Sequence, residues 1–168
     1  KWRDISMREL TVELGERSYP IYIGEGLLKE ASSFLKKRGI GTKSPLMIVT
    51  DDRVAPLYLA PLERQLADAG YATTSVVVPG GESSKSLAMF EKLLTAALEA
   101  GLDRKSAIVA LGGGVVGDLA GFAAAAYMRG IKFVQMPTTI LAHDSSVGGK
   151  VAVNHPLANN VIGAFHQP

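Results

Sequence analysis

The chain has no cysteine among its 168 residues. That excludes disulfides and cysteine-held metals, and it favours a cytoplasmic protein. No apolar run reaches the roughly 18 residues that a membrane span needs, and no secretory signal is visible. There is no basic block and no interleaving of aromatics with cations. With a net charge of +2, nucleic-acid binding has little support. The three histidines, His143, His155 and His166, lack a metal-ligand spacing such as H-E-x-x-H. No Ser/His/Asp signature and no nucleophile elbow occur either. Charge itself is scarce toward the end: from Ser106 onward only Asp118, Arg129, Lys132, Asp144 and Lys150 carry one. A charge is costly to bury unless it is paired, so each of these is a candidate for ligand work.

What is present is an ordinary globular balance, 47 % hydrophobic and 20 % charged, long enough for one domain with a real core. Lys1 to Ser6 precede a methionine and read as a leader or an expression remnant, leaving residues 7–168 as the domain. Leu10, Val12 and Leu14 alternate with polar residues, and Tyr19–Ile23 follows a turn at Gly15–Ser18, so a β-hairpin is expected. Leu27, Leu28, Ala31, Phe34 and Leu35 recur at helical spacing up to Arg38-Gly39. The basic run Lys36–Arg38 reads as a solvated helix end. Leu46–Thr50 reads as a buried parallel strand ending in Asp51-Asp52. A helix with Pro61 in its first turn then runs to Ala69, and a Val/Thr-rich strand covers Ala72–Val78. Leu87, Phe90, Leu94, Ala97 and Leu98 mark one face of the next helix. Strands follow at Ala107–Leu111 and Phe133–Met136, joined by a helix from Val115. Turn signals stand at Asn154–Pro156 and Asn159-Asn160, and Val161–Phe165 reads as one more strand. This alternation predicts an α/β fold: a mostly parallel, Rossmann-like, doubly wound sheet behind an N-terminal β-hairpin.

The stretch from Ser106 to Lys150 carries the chemistry. Its apolar strand ends in Gly112-Gly113-Gly114, and Gly112, Gly114 and Gly117 satisfy G-x-G-x-x-G. Glycines there let the backbone approach a ligand, and the amides and dipole of the following helix favour an anion such as a pyrophosphate. The acid that usually follows about 20 residues later is replaced by Pro137-Thr138-Thr139, so the loop reads as a phosphate cradle outside the standard arrangement. Asp118, assigned to the first helical turn, either stabilises the dipole or accepts from a ligand hydroxyl. Thr138 and Thr139 either serve β-propensity or bind a ribose or an amide. Asp51 is a ribose acceptor or a helix cap. Glu82 and Lys85 either belong to a capped helix start or meet a sugar hydroxyl and a phosphate. Arg129 is a dipole partner at the far end of its helix or a ligand contact.

Six ordered motifs then agree. PGGESSK (Pro79–Lys85), GGGVVGD (Gly112–Asp118), YMRG (Tyr127–Gly130), PTT (Pro137–Thr139), DSSVGGK (Asp144–Lys150) and NHPLANNVIGAFHQP (Asn154–Pro168) together resemble the 3-dehydroquinate synthase family. The resemblance runs from about Met7 to the end. It implies the NAD-binding N-terminal domain of a lyase and cyclase of the shikimate pathway. Such an enzyme converts 3-deoxy-arabino-heptulosonate 7-phosphate to 3-dehydroquinate plus phosphate through transient oxidation by NAD, with zinc or cobalt as its metal and a homodimer as its assembly. By similarity, Asp51 would hold the adenosine ribose with Glu82 and Lys85 nearby. Gly113, Gly114, Val115, Gly117 and Asp118 would line the path of the pyrophosphate and ribose, and Thr138 and Thr139 would also face NAD. Asp144, Lys150 and Asn160 would point toward substrate and nicotinamide. Arg129 would reach the substrate phosphate of a neighbouring subunit, a task that suits its bidentate fork.

This sequence departs from the family pattern in three places. The segment between Thr139 and Asp144 is one residue shorter, and losing one residue from a strand turns every later side chain over. Asn159 stands where the family has a lysine, which removes a cationic partner for the cofactor. The metal ligands, one glutamate and two histidines in a helical C-terminal domain, are expected beyond Pro168, so the chain alone is expected to be catalytically incomplete. The competing readings are a related sugar-phosphate cyclase, a fragment of a metal-dependent polyol dehydrogenase, and a nucleotide-binding module without chemistry.

Overall fold

A computed structural model describes residues 8–23, 26–138 and 149–168. The elements in chain order are β1 (Arg8–Val12), β2 (Tyr19–Ile23), α1 (Ala31–Lys37), β3 (Leu46–Asp51), α2 (Ala55–Asp68), β4 (Thr73–Val78), α3 (Leu87–Glu99), β5 (Ala107–Gly112), α4 (Gly114–Ala126), β6 (Lys132–Pro137), β7 (Lys150–His155) and β8 (Ala158–Phe165). β1 and β2 form the expected antiparallel hairpin. Four strands make a parallel sheet in the order β4-β3-β5-β6. β3 comes first in sequence yet lies between β4 and β5, so the chain direction reverses there. The carboxyl ends of β3 and β5 therefore flank the crevice in which open α/β sheets bind ligands.

The two central strands, β3 and β5, are buried on both faces because their side chains alternate between two cores. Leu46 and Ile48 of β3, with Ala107, Val109 and Leu111 of β5, meet Leu35 of α1 and Leu62 and Leu66 of α2. Met47 and Val49, with Ile108 and Ala110, meet Leu93 and Ala97 of α3 and Val116, Leu119, Ala120 and Ala123 of α4. α3 and α4 are themselves joined by stacked Phe90 and Phe122, whose centroids are 4.5 Å apart.

Three expectations are corrected. The helix placed from Pro61 begins at Ala55, and Pro61 lies inside it. Pro61 is exposed, so the carbonyl it deprives of a helical donor faces water, and the helix survives. On α3, Leu87 and Leu98 are 46 % and 65 % exposed, while Leu93 and Ala97 carry the buried stripe. The tail holds two strands, not one, and they lie outside the parallel sheet. β7 and β8 pair antiparallel with an irregularity between Val153 and His155. Asn159 and Asn160 lie within β8 rather than in a turn.

α4 holds this second hairpin through its small residues. A Cβ on Gly121 would stand 2.3 Å from Val151 Cγ1 and 2.9 Å from Phe133 Cε1. Val151 and Val153 are buried in the same core as α4. The close approach of β7 to α4 is thus set by the missing side chain at Gly121. Gly121→Ala is expected to destabilise the chain by about 1–3 kcal/mol through overpacking, overriding the roughly 1 kcal/mol by which alanine favours a helix. Urea unfolding of the variant would measure it, and a gain in midpoint would contradict this packing.

Candidate functional site

Four strand ends converge on the crevice. At the end of β3, Asp51 Oδ1 accepts hydrogen bonds from the amides of Arg53 and Val54, each at 2.9 Å. One carboxylate oxygen is therefore committed to the turn entering α2, and the other has no partner among the described residues. The neighbouring Asp52, second of the acid pair that ends this apolar run, joins β3 to β4. Its amide donates to the carbonyl of Val78, and its Oδ1 accepts from the amide of Gly80 at 2.9 Å. A Cβ on Gly80 would lie 2.9 Å from Arg53 Nε, so the two loops meet only because Gly80 has no side chain. The paired acids at a strand end were the available signal for Asp52.

At the end of β5, Gly113 is extended and precedes α4, and no side chain caps that helix. The first amides of a 13-residue helix, including those of Gly114 and Val115, are left to an outside acceptor, and the dipole favours an anion there. Gly112 approaches Val116, which a Cβ would meet at 3.1 Å. Its carbonyl accepts from the amide of Thr138 at the end of β6. Gly117, in the first helical turn, bonds back to the carbonyl of Gly113, and a Cβ there would press on Gln135 at 3.0 Å. Thr138 Oγ1 is buried with no hydrogen-bond partner among the described residues, as is Thr50 Oγ1 on β3. A buried hydroxyl without a partner costs about 1–3 kcal/mol, a cost that a ligand acceptor at Thr138 would remove. Thr139, Asp144 and the shortened segment before Asp144 lie outside the described residues.

Lys85 and Asp118 form the charged centre. Lys85 Nζ is 2.6 Å from Asp118 Oδ2 and 3.7 Å from Glu82 Oε1, and the lysine side chain is only 5 % exposed. Asp118 lies one turn into α4, not in its first turn, so the lysine, rather than the dipole, is its main partner. Burial raises the Asp118 pKa from its ordinary value, Lys85 works against that rise, and the charge of Glu82 adds to it. Glu82 in turn accepts from Asn154 Nδ2 at 3.0 Å, and Asn154 Oδ1 accepts from the amide of Asn160 at 2.9 Å. Asn154 had been read only as a turn former, since nothing in N-H-P distinguishes a turn asparagine from a strand one. An open recess of about 350 Å³ lies beside this cluster, lined by Glu82, Ser83, Lys85, Ser86, Asn154 and His155 among others.

The structure brings Asp118, Glu82, Lys85 and Asn160 together, but it does not bring in two other expected residues. Lys150 is exposed and opens β7, about 13 Å along the strand from Asn154. Arg129 lies past the far end of α4, about 20 Å from the glycine turn. Met128 and Arg129 have positive φ, 48° and 66°. Consecutive left-handed residues of this kind are strained and tend to persist where function requires them.

The buried pair predicts a pH effect. The folded Asp118 carboxyl holds its proton to higher pH than the unfolded one. Its contribution to stability is complete below the unfolded value, about pH 4, and is lost as pH rises through the folded value. In Lys85→Met the opposing lysine is gone, so the Asp118 carboxyl is expected to titrate higher than in the parent, as a ¹³C-NMR titration would read. The loss of stability should then extend to higher pH. Asp118→Asn, which leaves Lys85 buried without its counter-charge, is expected to cost about 3 kcal/mol in chemical denaturation at pH 7.

The chain is similar to proteins of known kind. A 3-dehydroquinate synthase from Geobacillus kaustophilus is 56 % identical over 162 residues, 96 % of this chain and 44 % of its own length. The chain thus spans less than half the length of the curated relatives it matches. A 2-deoxy-scyllo-inosose synthase complexed with carbaglucose-6-phosphate, NAD+ and Co2+ is 28 % identical with a TM-score of 0.87, over 96 % of this chain and 43 % of that one. A 2-epi-5-epi-valiolone synthase from Streptomyces hygroscopicus subsp. jinggangensis, with NAD+ and Zn2+ bound, is 31 % identical with a TM-score of 0.69, over 74 % and 35 %. Residues 75–168, which hold Lys85, the glycine turn, Asp118 and the Asn154–Asn160 tie, match the family described as 3-dehydroquinate synthase N-terminal, and the chain belongs to that family.

Proposed function

We propose that this chain is the NAD-binding part of a cytoplasmic enzyme that converts 3-deoxy-arabino-heptulosonate 7-phosphate to 3-dehydroquinate with release of phosphate. The observation that carries the proposal is the buried Lys85–Asp118 pair one helical turn from an uncapped, glycine-led helix N-terminus. The identity of 56 % with a 3-dehydroquinate synthase supports this reaction over that of another sugar-phosphate cyclase, to which the likeness is lower.

The residues present fit a dinucleotide. The free amides at Gly114 and Val115 would take the pyrophosphate, and Lys85 would add positive charge beside it. The open oxygen of Asp51 and the carboxylate of Glu82 would accept ribose hydroxyls. Thr138 Oγ1, unpartnered among the described residues, would gain a partner. Bound NAD supplies a hydride acceptor that gives the hydride back within the same turnover. Asn160, and Lys150 from farther along the hairpin, would orient the substrate. Arg129, a full helix length from the glycine turn, would serve the site of a second subunit in a homodimer. No group of three His, Cys, Asp or Glu among the described residues would hold a metal.

Calorimetric titration of the 168-residue chain is expected to give heat with NAD and less with AMP or sugar phosphates. Absence of heat with any dinucleotide would overturn the proposal. The same polypeptide is expected to release no phosphate from the heptulosonate. Steady release would refute its catalytic incompleteness.

A further inference from the structure

Asn154 makes three ties at once. Its amide N–H donates to the carbonyl of Lys85 at 2.9 Å. Its side-chain Nδ2 donates to Glu82 Oε1 at 3.0 Å. Its Oδ1 accepts from the amide of Asn160 at 2.9 Å. A single strand residue is thus fastened to both ends of the Glu82–Lys85 turn and to β8. An isolated parallel bridge between Asn154 and Ser86 strengthens the first of these ties, and Ser86 itself caps α3.

The tie to Asn160 holds an unusual backbone. Asn160 has φ 56° within β8, a left-handed conformation that asparagine tolerates better than most residues. Its N–H points at Asn154, out of the ordinary ladder, at the irregular end of the β7–β8 pairing. Only a side chain with a donor and an acceptor on one planar head can hold a carboxylate with one and a backbone N–H with the other. Asparagine at position 154 meets that requirement, and aspartate does not.

We infer that Asn154 is a positioning residue that couples the Glu82–Lys85 turn to Asn160, so that ordering of either one orders the other. The inference deepens the function proposed above, since it takes Glu82 to face the cofactor and Asn160 to face the substrate. Asn154 touches neither. It transmits order through its two side-chain hydrogen bonds, and a ligand that fixes the Glu82 carboxylate lowers the cost of fixing Asn160.

Hydrogen exchange at the Asn160 amide reads this coupling directly in the 168-residue chain. Without ligand, Glu82→Ala is expected to speed that exchange about fivefold in the parent. In an Asn154→Ala background, where Asn160 already exchanges fast, it should change nothing. Asn154→Asp keeps the acceptor for Asn160 but sets a carboxylate against Glu82. It is expected to speed Asn160 exchange about as much as Glu82→Ala does, while weakening NAD about tenfold by calorimetry. If NAD affinity is unchanged in both Asn154 variants while their melting temperatures fall, Asn154 is only structural and the inference is overturned. If the parent binds no NAD, the proposed function fails. The ligand-free arm then still decides the coupling: additive effects of Glu82→Ala and Asn154→Ala on Asn160 exchange would overturn it.

Discussion

The contact on which this molecule depends is the one between Lys85 and Asp118. It joins the turn before α3 to the second turn of α4, two segments separated by 33 residues. Lys85 is almost fully buried, and an isolated ammonium at such depth would lose its proton or unfold its surroundings. Asp118 supplies its counter-charge. In exchange, the aspartate gives up water, which is why burial raises its pKa even with a cation at 2.6 Å. Replacing such a pair by packed hydrocarbon is often neutral or stabilising. Stability alone therefore does not explain why a lysine and an aspartate occupy these positions. Positive charge beside a helix N-terminus is useful when an anion has to be held.

Close packing by small residues sets where the rest of the site lies. Gly121 lets β7 rest on α4, and on that strand the Asn154 amide reaches the carbonyl of Lys85. Gly80 lets the loops after β3 and β4 touch through Asp52 and Arg53. At both places a side chain would force backbone or packed core to move. The Glu82–Lys85 turn, the glycine turn and the second hairpin are consequently one packed unit, although they come from three separate parts of the chain.

The parallel sheet was legible because its central strands are apolar runs that end in an acid and a glycine, Asp51 and Gly112, and its helices carry stops such as Gly70 and Gly101. The glycine turn, Glu82, Lys85 and Asp118 were legible as motif residues. Their mutual contacts were not, because spacing in sequence says nothing about which charge meets which across 33 residues. Pro61 was misread as a helix start because sequence does not reveal which face of a helix is wet. β7 was missed because it opens with Lys150 and its alternation is only two valines long, Val151 and Val153, too short to mark a strand by pattern. Asn154 was missed for a related reason: an asparagine before His-Pro reads as a turn, and only the fold turns its side chain toward Glu82.

A site that waits for an anion must be stable without it, and the charge arrangement accounts for that. Three carboxylates of the described site are each engaged in a different way. Asp51 holds the turn entering α2, Asp118 balances Lys85, and Glu82 is held by Asn154 at a distance of 3.7 Å from the lysine. Lys85 thus faces one close carboxylate and one distant one. On the proposed reading, a pyrophosphate at the amides of α4 adds negative charge within a helical turn of that lysine, while Asp118 stays on its other side. The incoming anion does not have to displace the resident one, because Asp118 reaches the lysine from within the helix whose free end the pyrophosphate takes. Lysine suits such a shared position better than arginine: its ammonium is a compact charge with three donors that rotate to whichever acceptors are present. An arginine fork bound bidentately to Asp118 would already have committed its geometry.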